Sequence, residues 1–300
     1  MAANNSTLNL PSWASNATIL GSNDSYRLLN IFPDDVADNL FHQLRDEITW
    51  NEMRRKGGRV PRDISIQGTL INHNDDQYEP LFRHPVDEQP ELVSWTPTAL
   101  KIKERIEEVI EQKLNHALIQ YYRNGKDYIG EHSDITLDIS IGSNIVNYSL
   151  GAARTMILKH KTQNSLKQRF KVPHNSLFIM GWKTNREWFH SIKQDKRLDM
   201  DKDSDELTFS SQRISLTLRT IATFRNRRTG QLYGQGAKNK TVKQISEHTS
   251  NESDEQDMLM AFTAENQQSS DFDWNHYYGN GFDALNFKVL YSTITNDIHK

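Results

Sequence analysis

Apolar residues recur at helical spacing in two stretches of the first half of the chain. After Pro33-Asp34-Asp35, the positions Val36, Leu40, Phe41, Leu44 and Ile48 form one stripe. The acidic pair suits the positive N-terminal end of a helix. A second stripe begins at Thr96-Pro97, an N-cap residue followed by proline in the first turn. Leu100, Ile102, Ile106, Val109, Ile110 and Leu114 make its apolar face, with Lys and Glu on the other side. From Asn115 the period shortens. Stretches 117–122, 145–150, 155–160, 176–180, 187–192 and 213–224 are rich in β-branched and aromatic residues and read as strands. Gly125, Gly130, Gly142, Gly151 and Gly181 punctuate them. Helices first and short strands after, without regular alternation of the two, predict an α+β fold built on a sandwich or barrel.

The flanks differ in texture. Residues 1–25 are rich in Asn, Ser, Ala and Thr without a sustained apolar period, which predicts a flexible arm. Residues 195–206 read as a solvated insertion loop, and 225–260 as polar and loop-rich, including the acidic run 252–257. The ending FDWNHYYGNGFDALNF is aromatic again and is expected to fold back. The expected organisation is an arm (1–25), one domain (26–225) and a polar C-terminal extension (226–300).

Composition removes several classes of chemistry. The 300 residues contain no cysteine, so a disulfide scaffold, a thiolate zinc site, an iron–sulfur cluster and a cysteine nucleophile are excluded. No apolar run approaches the roughly 20 residues of a bilayer span. The N-terminus carries no basic and apolar signal pattern, so an intracellular protein, of cytoplasm or nucleus, is expected. The Asn-x-Ser/Thr triplets at Asn5, Asn16, Asn23 and Asn147 are then coincidence in an Asn-rich chain. Net charge is −3, but 153–199 hold eleven Lys/Arg against three Asp/Glu. A basic middle can meet nucleic acid or a small anion. The low overall charge lacks the signature of a dedicated DNA binder.

The chemistry concentrates in Gly130-Glu131-His132-Ser133-Asp134. In an extended segment His132 and Asp134 project to one face. His190 lies in a later strand. Two imidazoles and one carboxylate are the set that suits non-haem Fe(II), with positions left open. His-x-Asp alone is equally met by a surface histidine beside a solvated aspartate. In 213–219, Arg213, Ser215, Thr217 and Arg219 share one face and Ile214, Leu216 and Leu218 the other. Such a strand can send its arginines to solvent, or place Arg213 inside a barrel to clamp a carboxylate.

Several pieces occur in an order that resembles the AlkB-like Fe(II)/2-oxoglutarate dioxygenases, most nearly fungal members. They are Tyr121-Tyr122-Arg123-Asn124-Gly125, Ile129 to Asp134, Ser149-Leu150-Gly151-Ala152, Asn175 to Met180, Trp188-Phe189-His190-Ser191, and Arg213-x5-Arg219. The tail pieces Tyr233-Gly234-Gln235-Gly236 and Phe272-Asp273-Trp274 are similar too. The resemblance covers roughly 28–224. It implies a double-stranded β-helix, a jelly-roll or cupin-like core with N-terminal flanking helices. It also implies Fe(II) held by His132, Asp134 and His190, with 2-oxoglutarate and O2 as cosubstrates. Arg213 and Tyr122 would meet the distal carboxylate of 2-oxoglutarate, and Arg219 would lie nearer the metal-binding aspartate. Gln120 and Ser215 stand where the family commonly has asparagines beside the cosubstrate.

The implied reaction is oxidative C–H hydroxylation. Val60-Pro61-Arg62 is followed by no Trp or Tyr to stack on a flipped base. With the acidic balance, this favours a small molecule or amino-acid derivative over nucleic acid, and no membrane partner. The alternatives are oxidative demethylation of alkylated DNA or RNA bases, and an Fe(II) oxygenase that does not turn over 2-oxoglutarate.

Overall fold

The computed structural model describes residues 11–55, 58–85, 90–244 and 252–285. Its frame is a double-stranded β-helix in which a nine-stranded major sheet faces a four-stranded minor sheet. The major sheet runs Thr18–Leu20, Ser25–Leu29, Ser176–Met180, Ile145–Gly151, Arg213–Arg219, His116–Tyr122, Gly58–Gly68 and Asn51–Arg55. Leu92–Ser94 pairs parallel to Gly58–Gly68; every other pairing is antiparallel. The minor sheet runs Lys167–Val172, Arg154–His160, Trp188–Ile192 and Ile129–His132.

Two faces of the major sheet have different fates. Helices Asp34–Glu47 and Pro97–Ile110 cover the outer one, where Leu40, Phe41, Leu44, Ile102 and Ile106 pack on Tyr148, Leu150, Ile214, Leu216 and Leu218. That burial takes up the apolar half of the alternating strand. Arg213, Ser215, Thr217 and Arg219 are therefore turned inward, towards the minor sheet. Strand Ile145–Gly151 ends at a residue with φ of +91°, where a Cβ would sit 2.3 Å from the Gln212 carbonyl oxygen. Only glycine fits at Gly151.

Several expectations need correction. Residues 11–25 are no flexible arm: two short strands extend the major sheet, with Trp13, Ala14, Ile19 and Tyr26 packed on the helix-side core. Residues 58–68, which carry no strand pattern in the sequence, form an eleven-residue strand. Polar Ser65 and Gln67 are buried beside Ile64 and Ile66, which masks the alternation. Lys56 and Gly57 lie outside the described residues. Arg213–Phe224 divides into Arg213–Arg219 and Thr223–Asn226, and the second piece joins Leu232–Gly234, Asp76–Pro80 and Ile71–His73 in a third sheet. Within 195–206, Ser204–Leu207 is a helical turn with a capping box between Asp203 and Glu206.

Glu252–Gln267 is a helix, not a loop. Its buried stripe is Asp254, Met258, Ala261, Phe262 and Glu265, and two acids within that stripe hide its helical period. Phe272, Tyr278 and Phe282 join it in a cluster with Ile135 and Leu137. Arg83 clamps this segment. It is buried and ion-paired to Asp138 at 2.7 Å, and it donates to the carbonyls of Gly236, Phe282 and Ala284. Gly236 is required there, since a Cβ would lie 2.5 Å from the Asp138 carboxylate. Arg83→Ala leaves Asp138 as an uncompensated buried charge. It is expected to cost about 3–5 kcal/mol in urea unfolding, and a loss below about 1 kcal/mol would contradict the clamp. No helix among the described residues is long and apolar enough to cross a membrane.

Candidate active site

Two neighbouring strands of the minor sheet bring the histidines together. His132 and His190 are paired across the antiparallel register, with ring centroids 4.1 Å apart. One ligand atom from each of His132, Asp134 and His190 lies within 4.8 Å of the others. Asp134 Oδ1 is 3.9 Å from His132 Nε2 and 4.0 Å from His190 Nε2. His132 Nδ1 hydrogen-bonds the Gly130 carbonyl at 2.8 Å. In the neutral ring this places the proton on Nδ1 and leaves the Nε2 lone pair facing the carboxylate.

Electrostatics keep the set ready for a cation. Burial first, and then the neighbouring His132, pushes His190 down to about 3, so its ring is neutral. Burial alone would raise Asp134, but Arg219 foremost, then His190 and His132, hold it well below the usual carboxylate range. Arg219 donates to Asp134 Oδ2 from Nε at 2.9 Å and from Nη2 at 2.6 Å. Oδ1 is left for the imidazole side. Asn185 fixes the backbone of Asp134 in both directions, accepting from its N–H at 2.9 Å and donating to its carbonyl at 2.8 Å.

Deeper in the barrel Arg213 is fully buried, 5.0 Å from the Tyr122 ring centroid. Its Nη2 donates to Ser149 Oγ at 2.7 Å and to Asn147 Oδ1 at 3.3 Å. Nε and Nη1 have no partner, and no carboxylate among the described residues meets it. Burial pushes the guanidinium down to about 10, so it remains a cation without a counter-ion. Ser215 Oγ accepts from Asn147 Nδ2 at 2.8 Å, and the buried Gln120 Nε2 has no partner. A cavity of about 390 Å³ connects the two regions, reaching Gln120, Tyr122, Asn147 and Ser215 at one end and the three ligand residues at the other. Arg213 lies behind that wall, bonded to the lining residue Asn147.

The donor set fits a metal, and the orphaned guanidinium fits an anionic cosubstrate. All eight residues singled out in the sequence gather around this one cavity or directly behind it. Four contributors were not foreseen. Asn147, taken for a chance triplet, points inward with Ser149, and period two along its strand carries that signal. Asn185 sits on a six-residue helix with no pattern to mark it. Phe82 and His84, stacked at 5.1 Å, line the cavity together with Phe189. His84 and Phe189 are the half-buried rings of this wall, while Phe82 is buried with its ring stacked on His84 and Arg219.

A model for the 2OG-Fe(II) oxygenase superfamily matches residues 25–219. The chain is 30% identical over 216 residues to the DNA oxidative demethylase ALKBH2 of Bos taurus, covering 67% of this chain and 69% of that protein. It is 32% identical over 134 residues to ALKBH2 of Mus musculus, covering 42% of this chain and about half, 52%, of that protein. It is 27% identical over 195 residues to alpha-ketoglutarate-dependent dioxygenase alkB homolog 3 of Bos taurus, covering 62% of each. These relatives do not support the expected preference for a small molecule over nucleic acid.

Proposed function

The chain belongs to the 2OG-Fe(II) oxygenase superfamily, as an Fe(II)/2-oxoglutarate-dependent dioxygenase, and from that premise we propose that it removes N-methyl groups from bases in DNA or RNA. The observation that carries the proposal is the cavity wall: the half-buried His84 and Phe189 line the same cavity as the three metal-ligand residues, backed by Phe82, whose ring is stacked with His84 and Arg219. A flat base taken out of its stack is held by such surfaces. The DNA demethylase activity for which the ALKBH2 relatives are named supports the same reading.

His132, Asp134 and His190 would hold the iron. Bound Fe(II), with 2-oxoglutarate and O2, supplies the oxidant for a C–H bond. The protein supplies placement and charge. Arg219 neutralises one oxygen of Asp134, and the Gly130 carbonyl fixes the His132 tautomer. Arg213 offers a buried cation with unpartnered donors on Nε and Nη1 to the distal carboxylate of the cosubstrate, with Tyr122 beside it. Gln120 presents an unpartnered amide nitrogen on the same wall, while the Asn147 amide is held by Ser215, Thr217 and Arg213. The overall reaction balances. N–CH3, 2-oxoglutarate and O2 give N–H, formaldehyde, succinate and CO2, because a hydroxymethyl group on nitrogen collapses to formaldehyde.

The test is formaldehyde and succinate release in equal amounts from an oligonucleotide with one ring-N-methylated base. Activity on the oligonucleotide is expected to exceed that on the free methylated nucleoside. Its affinity should fall steeply between about 50 and 200 mM salt, as phosphate contacts dictate. Equal turnover of both, with no salt slope, returns the protein to the small-molecule reading.

A further inference from the structure

The matched family region ends at residue 219, yet the cavity does not. Among its described lining residues one comes from beyond that point: Asn266, in the last turn of the helix Glu252–Gln267. We propose that Asn266 is a specificity-determining residue, whose carboxamide nitrogen donates to the edge of the target base beside the reacting methyl group. The inference rests on the nucleic-acid reading above and names one feature of its substrate selection.

The helix end that carries Asn266 is held from several sides. Glu265 is buried and accepts from the Thr136 backbone N–H at 3.1 Å, from the Thr136 hydroxyl at 2.5 Å and from the Tyr278 hydroxyl at 2.6 Å. Lys161 Nζ donates to the Glu265 and Gln268 carbonyls, which are orphan acceptors of the helix C-terminus. Arg186 Nη2 donates to the carbonyls of Ser270 and Phe272. Thr136 is two residues from Asp134, so this docking ties the helix end to the metal-ligand segment.

Asn266 itself is half-buried. Its Oδ1 accepts from Ser133 Oγ at 3.3 Å, which orients the amide. The amide nitrogen has no partner among the described residues. The Asn266 amide lines the same cavity as Asp134 and is held by Asp134's chain neighbour Ser133, so a base seated in that cavity can present its modified edge to it. Chemistry then separates two substrates. In a cytosine methylated on its Watson–Crick ring nitrogen, the methyl stands next to a carbonyl oxygen, an acceptor. In the corresponding adenine it stands next to a C–H. The Asn266 amide therefore favours the methylated cytosine.

The experiment compares kcat/KM for two oligonucleotides that differ only in carrying the methylated cytosine or the methylated adenine. Asn266→Ala and Asn266→Asp are tested against wild type. Asp keeps the acceptor for Ser133 and loses the donor. Both variants are expected to lower the cytosine-to-adenine ratio roughly three- to tenfold, the worth of one neutral hydrogen bond, with 2-oxoglutarate affinity as in wild type. A ratio within twofold of wild type in both variants overturns the inference alone. So does a matching loss of 2-oxoglutarate affinity, which makes Asn266 a structural residue. If wild type turns over neither oligonucleotide, the nucleic-acid reading falls and the inference with it.

Discussion

Arg213→Met is expected to weaken 2-oxoglutarate binding by about 2–4 kcal/mol, roughly 30- to 1000-fold, while Fe(II) binding stays near the wild-type level. The guanidinium is fully buried, and two of its nitrogens have no partner. A distal carboxylate brought there finds a desolvated counter-ion with unpartnered N–H donors, and it is the removal of that pairing that costs affinity. Arg213 lies behind the cavity-lining Asn147, so binding includes a small side-chain adjustment of that wall. The same substitution has a second signature. Because the protein itself provides no carboxylate among the described residues, the cosubstrate-free protein carries the full desolvation cost of this cation. Met fills much of the space without the charge, so stability of the cosubstrate-free protein is expected to hold or rise. Anaerobic calorimetric titration with 2-oxoglutarate and urea unfolding check the two halves. Unchanged affinity removes Arg213 from its role.

That double signature also explains why the site was legible in the chain. Arg213, Ser215, Thr217 and Arg219 alternate with three aliphatic residues, and the aliphatic half meets two helices that are themselves visible as stripes. Once one face is claimed by the core, the cations must point inward. His132 and Asp134 are readable for the same reason, from two-residue spacing in an extended segment. Where both faces of an element are buried, the pattern fails. Gly58–Gly68 buries Ser65 and Gln67 beside Ile64 and Ile66, so it reads as no strand at all. The helix Glu252–Gln267 conceals its core stripe because Asp254 and Glu265 belong to it. Their partners, the Asp283 and Ala284 amides for one, Thr136 and Tyr278 for the other, are distant in sequence. Phe82 and His84 follow the strand Asp76–Pro80 without periodicity, and only the closed fold brings them to the cavity. Local spacing, together with the ordered resemblance, marked the candidate metal-ligand residues and Arg213. Tertiary packing alone brings the aromatic lining of the cavity together, and this is why no local pattern marked it.

Asp134→Ala and Asp134→Asn should both abolish tight Fe(II) binding yet differ sharply in stability. Changing a group that merely supports a metal ligand costs about 10–100-fold in affinity, so losing the carboxylate ligand itself should cost more than about 100-fold. Asp134 serves two masters: Oδ1 faces His132 and His190, and Oδ2 takes two bonds from the buried Arg219. In the alanine variant Arg219 is left as a buried cation, stacked 4.1 Å over Phe82 with no carboxylate, at an expected cost of about 3–5 kcal/mol. In the asparagine variant an amide oxygen still accepts from Arg219, so the loss is smaller although the metal site is equally dead. The pH dependence follows from the lowered carboxyl. Its folded-state value lies below the unfolded one, so its stabilisation is complete above about pH 4 and is lost as pH falls through the folded value. The stability gap between wild type and Asp134→Asn, measured in chelator by urea unfolding, should therefore be constant near neutrality and narrow below about pH 4. Tight iron in either variant removes Asp134 from the ligand set. Equal stability of the two variants removes Arg219 from its support.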